Sequence, residues 1–193
     1  MIIVPRKFIY VGSKRTGTHF IYDTLMENFP GAIRTKQHHE TIVEIMTAKR
    51  AHQIPLYTVV RDPAYILFSL WRTFLTKYPH LDPTKHDTQK PFPAWIETKA
   101  PPTEGKAALY DPTENFPPGH TNVYRHVADM FFPFERNFTT FFNFIGLNGV
   151  VEAEPKEVDV ALLTVQDRAR IRELFPADYE VYDNKLFRPD VAA

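Results

Sequence analysis

Phe8-Ile-Tyr-Val-Gly-Ser-Lys-Arg-Thr-Gly-Thr-His19 decides the fold. Phe8 to Val11 is an apolar run without polar alternation. It predicts a buried strand of a parallel sheet covered on both faces. The run stops at Gly12, and Lys14 and Arg15 follow. Thr16-Gly17-Thr18 then leads into an amphipathic pattern. A strand–loop–helix unit of this kind aims backbone N–H groups and a helix N-terminus at one spot. That geometry favours an anion, above all a phosphate.

Outward from this unit the chain alternates strand and helix patterns. A helix is predicted from about Thr18 to Asn28, with Phe20, Ile21, Leu25 and Met26 on its inner side. Ala32 to Lys36 reads as a short strand and Thr41 to Lys49 as a helix. Pro55 to Val60 is the clearest strand after the first. It runs into Arg61-Asp-Pro63, where Pro63 suits the first position of an apolar helix reaching about Thr76. Further on, Met130 to Phe132 reads as a strand. Phe138 to Ile145 and Val165 to Phe175 read as helices, the second ended by Pro176. The alternation predicts an α/β fold of three layers, with a central, mostly parallel sheet and helices on both faces. Ligands on such sheets sit at the carboxyl ends of the strands. Gly12–Thr18, Lys36–Glu40 and Arg61–Asp62 all follow strands and are therefore expected to converge.

Composition narrows the function. The 193 residues are most simply one domain, and a hydrophobic fraction of 44% supports a globular core. The 23 basic and 23 acidic residues cancel, which argues against a general polyanion binder and so against nucleic acid as a partner. The absence of cysteine excludes disulfides, thiolate catalysis and cysteine-based zinc sites. No apolar run approaches the roughly 18 residues of a membrane span. No signal-peptide pattern opens the chain, so a cytoplasmic location is expected. From Tyr78 to about Gly119 the pattern breaks into a Pro-rich stretch holding about half of the 17 prolines. It reads as an irregular insertion in the single domain, and as a candidate lid or acceptor-binding segment.

The loop is not a Walker motif. Gly12 and Gly17 have that spacing, but Thr18 replaces the lysine and His19 the magnesium-binding hydroxyl. A kinase of the P-loop class thus lacks two of its charge-handling groups. Instead, Arg15-Thr-Gly-Thr18 after an apolar strand resembles the 5′-phosphosulfate loop of sulfotransferases. These enzymes use 3′-phosphoadenosine 5′-phosphosulfate (PAPS). Val59-Val-Arg-Asp-Pro-Ala-Tyr-Ile-Leu-Phe-Ser69 resembles the 3′-phosphate segment of the same family, with Arg61 and Ser69 at its spacing. Lys36-Gln-His38 resembles the Lys-x-His that carries the family's catalytic base. Phe132-Pro-Phe-Glu-Arg136 with Phe141 to Leu147, and Ile171 to Glu180, resemble its C-terminal structural segments.

The resemblance covers most of the chain outside 78–119. It implies a P-loop-related fold and transfer of a sulfuryl group from PAPS to a hydroxyl or amine of a small-molecule or carbohydrate acceptor. No metal is expected, and 3′,5′-diphosphoadenosine (PAP) is the product. It implies that Lys14, Arg15, Thr16, Gly17, Thr18 and His19 bind the 5′-phosphosulfate and that Arg61 and Ser69 bind the 3′-phosphate. It further implies catalytic roles for His38, Lys36 and Arg15. A histidine near its ordinary pKa suits a general base. His39 and Glu40 stand beside His38 as alternative bases. A zinc site on these three neighbours is disfavoured, because adjacent residues after a strand do not easily face one metal. Two features depart from the family. Phe134 stands where relatives carry a tyrosine near the adenine, and no late Arg-Lys-Gly loop is present. A nucleotide or small-molecule kinase and an inactive PAP-binding protein remain the competing readings.

Overall fold

The computed structural model describes residues 1–12, 16–35, 40–77, 90–98, 124–134, 138–150 and 163–187. Five strands form one sheet: β1 (Ile2–Val4), β2 (Phe8–Gly12), β3 (Ile33–Arg34), β4 (Leu56–Val60) and β5 (Met130–Pro133). Their order is β3-β1-β2-β4-β5. β2 pairs with β4, and β4 with β5, in parallel. β1 runs antiparallel to both of its neighbours. The sheet is therefore mixed but mostly parallel: β2, β3, β4 and β5 share one direction, and their carboxyl ends lie at one end of the sheet.

β1 was not expected from the sequence. It is made by a tight turn at Pro5-Arg-Lys7, with Arg6 at φ 63° and Lys7 N–H donating to the Val4 carbonyl at 3.0 Å. The turn folds Ile2–Val4 back on Phe8–Tyr10, which gives β2 a hydrogen-bonded partner on each side.

Seven helices are described: α1 (Thr18–Asn28), α2 (Ile42–His52), α3 (Pro63–Lys77), α4 (Phe92–Glu97), α5 (Thr139–Phe144), α6 (Val165–Leu174) and α7 (Pro176–Asn184). Local chemistry explains several ends. Thr41 and Glu44 form a capping box on α2, and Thr164 and Asp167 form one on α6. Asp62 accepts from Ala64 N–H at 2.8 Å and so caps α3, just before the proline that opens it. Pro176 was expected only to end a helix. It does follow α6, but it also starts α7, because a proline lacks just the N–H that a first turn leaves unused. α4 falls inside the stretch expected to be irregular, and Phe92, Trp95 and Ile96 bury its apolar side. Residues 78–89 and 99–119 lie outside the described residues.

Side-chain alternation along β2 explains its unbroken apolar run. Phe8 and Tyr10 join Ile21, Tyr22 and Leu25 of α1 and Phe141 and Phe142 of α5 in one core. Ile9 and Val11 join Ile45 of α2, Tyr124 and Val181 of α7 in a second core on the other face. Each large apolar side chain so buried contributes about 1.5–3 kcal/mol. A third core gathers α3, α4, α6 and α7 around Phe68, Trp95, Ile171 and Phe175. Asp129 ties the second face together. It accepts from Lys49 Nζ of α2 and from Leu56 N–H at the start of β4, both at 2.7 Å.

Candidate functional site

The loop between β2 and α1 is closed tightly at both ends. A Cβ on Gly12 would stand 2.3 Å from Thr18 Cγ2 and 2.7 Å from its Oγ1. The last residue of β2 therefore touches the first residue of α1, and only glycine allows that approach. Gly17 takes φ +65°, and a Cβ there would meet Phe138 Cζ at 2.3 Å. Gly12 N–H donates to the Tyr22 hydroxyl at 3.4 Å. α1 begins directly after Gly17 with no side-chain cap, in contrast to α2 and α6.

The side chains of this unit differ in direction. Thr16 is fully buried, with its side chain close to the Tyr10 phenol in the core. Burial pushes the Tyr10 phenol well above its ordinary pKa, and the Thr16 contact works against that rise. Thr18 is also buried, packed on Gly12, whereas His19 is exposed. The Thr16 side chain is thus committed to the core, and what this residue offers a ligand is backbone. Lys14 and Arg15 lie outside the described residues.

β4 carries the second part of the site. Val59 is in register with Gly12 across the parallel pair, so Arg61 emerges one strand away from the loop, at the same end of the sheet. The Arg61 guanidinium lies 4.5 Å from the Phe134 ring centroid and 5.1 Å from that of Tyr65. Phe134 packs edge-on against Phe138 at 5.2 Å, and Phe138 closes on Gly17. A continuous aromatic path thus joins the two candidate phosphate-facing positions. Ser69 sits on α3 one turn beyond Tyr65 and is 2% exposed, which places its hydroxyl within the α3 packing.

The third part of the expected site, Lys36, His38 and His39, lies outside the described residues. The flanking residue Glu40 is turned into the fold. Its carboxylate, 6% exposed, accepts from the Met1 ammonium and the Thr35 hydroxyl. Burial lowers the pKa of that ammonium, with the Glu40 contact opposing the fall.

A group that the sequence did not single out surrounds Asp62. Tyr179 of α7 donates its hydroxyl to Asp62 at 2.9 Å. Arg168 of α6 donates to the Tyr65 hydroxyl at 3.2 Å and approaches Asp62 at 3.7 Å. Burial, reinforced by the Asp62 charge, raises the Tyr179 pKa, and the bond to Tyr65 raises that of Arg168. These partners are 117 and 103 residues apart in the chain, so no local pattern pointed to them. The only signal was Asp178-Tyr-Glu180, which the sequence reading took as structural.

Among the described residues, no cluster of three or more His, Asp or Glu side chains could hold a metal ion. Among the same residues, no helix is long and apolar enough to cross a membrane. No protein-family model matches the chain, and no curated protein or solved structure matches it either.

Proposed function

We propose that this chain is a sulfotransferase of P-loop-like fold that takes PAPS as donor. One observation carries the reading. A glycine-closed turn at an uncapped helix N-terminus stands beside a strand-end arginine on the adjacent parallel strand, and Phe134 and Phe138 join the two. A bisphosphorylated nucleotide has two anionic ends, and this arrangement offers a separate cationic or N–H-rich position to each.

In this reading Lys14, Arg15 and the backbone N–H groups from Thr16 to His19 hold the 5′-phosphosulfate. They stabilise the charge that builds on the leaving phosphate. Arg61, with Ser69 behind it on α3, holds the 3′-phosphate, and Phe134 offers an aromatic face to the adenine. His38 takes the proton from the acceptor hydroxyl or amine as the acceptor atom bonds to sulfur. The bond from sulfur to the bridging oxygen breaks, and PAP leaves with both electrons of that bond. Lys36 assists at the bridging oxygen. The engagement of Glu40 with the Met1 ammonium favours His38 over Glu40 as the base. Fixed cations do here what magnesium does in kinases, so the reading requires no metal.

Calorimetric titration tests this directly. PAP is expected to bind in the micromolar range without magnesium, while ATP with magnesium binds at least tenfold more weakly. A preference for magnesium–ATP overturns the proposal in favour of a kinase. PAP binding without transfer to any acceptor supports an inactive binding protein instead.

A further inference from the structure

Arg61 is a single residue between two anchored peptide units. On one side, the Val60 carbonyl accepts from Phe134 N–H at 2.7 Å, which joins the end of β4 to the end of β5. On the other side, Asp62 is held in three ways. Its carbonyl accepts from Tyr65 N–H and Ile66 N–H at 3.0 and 3.2 Å. Its Oδ1 accepts from Ala64 N–H at 2.8 Å and also from the Tyr179 hydroxyl at 2.9 Å. The first two holds belong to the opening turn of α3, and helix ends fray readily. The third comes from α7, 117 residues further along the chain. Arg168 approaches the other oxygen, Oδ2, at 3.7 Å, which is beyond hydrogen-bond distance.

Tyr179 is itself fixed by packing before it reaches Asp62. Its ring is buried in the core shared by α3, α4 and α6, and the Arg172 guanidinium lies 3.9 Å from the ring centroid. Two residues on, Val181 is buried in the core on the second face of the sheet. α7 is thus gripped by two cores, and the Tyr179 hydroxyl ends at the residue that follows Arg61. A buried phenol needs a partner for its polar end, and this one takes it at the candidate site. Burial raises the pKa of this phenol, so it stays protonated and donates. A side chain that leaves the backbone between two anchored peptide units has a set direction, and charge-assisted pairs depend on that direction.

Resting on the sulfotransferase reading above, we propose that Tyr179 is a positioning residue for Arg61. Through Asp62 it fixes the direction in which Arg61 leaves β4, and so it sets the preference for a 3′,5′-bisphosphorylated nucleoside over a 5′-monophosphate. Tyr179 does not touch the nucleotide, because its hydroxyl is spent on Asp62. Its effect is confined to the 3′-phosphate end. The loop that takes the other end is held by separate contacts, Gly12 on Thr18 and Gly17 on Phe138.

The test compares PAP with adenosine 5′-monophosphate (AMP), which lacks the 3′-phosphate, by calorimetric titration of the intact chain and of Tyr179→Phe. That substitution removes one oxygen and keeps the ring. It is expected to cut the PAP-over-AMP preference by about fivefold or more, with AMP affinity unchanged within about twofold. Unchanged AMP binding also shows that the variant is folded. Equal losses for the two ligands, no loss for either, or loss of the fold make the hydroxyl a brace between α7 and α3 and overturn the proposal. A second arm places Tyr179→Phe in the Arg61→Ala background. A residue that acts through Arg61 has nothing left to position there, so PAP affinity is expected to fall less than about twofold further. A further fall as large as in the unmodified chain means that Tyr179 acts independently of Arg61, and it overturns the proposal. A PAP preference that depends on Arg61 but not on Tyr179 removes this proposal alone and leaves the functional reading standing. No PAP preference in the unmodified chain removes both.

Discussion

Arg61→Ala is expected to weaken PAP binding by about 100-fold or more while leaving the fold intact. Removing one partner of a desolvated, hydrogen-bonded charge pair costs about 2–5 kcal/mol, or roughly 30-fold to several thousand-fold. The 3′-phosphate would lose the fork that emerges from β4. The competing account makes Arg61 a structural clamp between Phe134 and Tyr65. Such cation–π contacts contribute about 0.5–1 kcal/mol each at half-exposed positions. The clamp account therefore predicts a small fall in the melting temperature and little change in affinity beyond it. The two accounts separate cleanly in a titration paired with a thermal melt. Arg61→Lys sharpens the contrast, because lysine keeps the charge and loses the planar two-donor geometry. It is expected to recover part of the affinity. Unchanged PAP binding in Arg61→Ala would remove the arginine from the site.

Gly17→Ala is expected to be the most damaging single-methyl substitution in the loop. Two costs add. An alanine held at φ +65° costs about 1–2 kcal/mol. The new Cβ would also stand 2.3 Å from Phe138 Cζ. The Phe138 ring cannot step aside, because Phe20, Phe134 and Phe142 surround it at 5.7, 5.2 and 6.0 Å between centroids. Overpacking of that kind costs about 1–3 kcal/mol. Gly31→Ala is the matched control: its φ is +86°, but nothing lies within 4 Å of the added carbon. Urea denaturation should therefore show Gly17→Ala less stable than Gly31→Ala by about 1–3 kcal/mol. Phe138→Leu in the Gly17→Ala background should recover part of that difference by making room. Equal losses at the two glycines would mean that Gly17 is not pressed against Phe138. The path from the loop to Arg61 would then be broken.

Much of the fold was legible because local chemistry and long-range packing agree. The uninterrupted apolar run of β2 and the mostly apolar β4 lie in the middle of a sheet covered on both faces, and such strands need no polar alternation. α1 begins and ends where the Thr18–Asn28 pattern does, and α3 starts at Pro63 as expected. β1 was not legible. Three residues before a Pro-Arg-Lys turn carry too little periodicity, and their strand exists only because β2 and β3 flank it. α7 was missed because one proline serves as both stop and start. The convergence of the Gly12–Thr18 loop and Arg61 at one sheet end followed from strand order alone. The means of their connection did not. Phe138 reads locally as the start of an apolar helix, and nothing in its neighbourhood says that it seals Gly17. Phe134 drew notice as a residue near the adenine, and its contact with Arg61 adds a second role. Arg168 and Tyr179 reach Asp62 across more than 100 residues, a relation that single-sequence patterns do not carry.

Diffraction from crystals grown with PAP puts the central claim to its most direct test. The account predicts density spanning the ends of β2 and β4. The 5′-phosphate should rest over Gly17 and the first N–H groups of α1, and the 3′-phosphate within hydrogen-bond distance of the Arg61 guanidinium. PAP bound elsewhere, or bound there with Arg61 directed away from both phosphates, would contradict it.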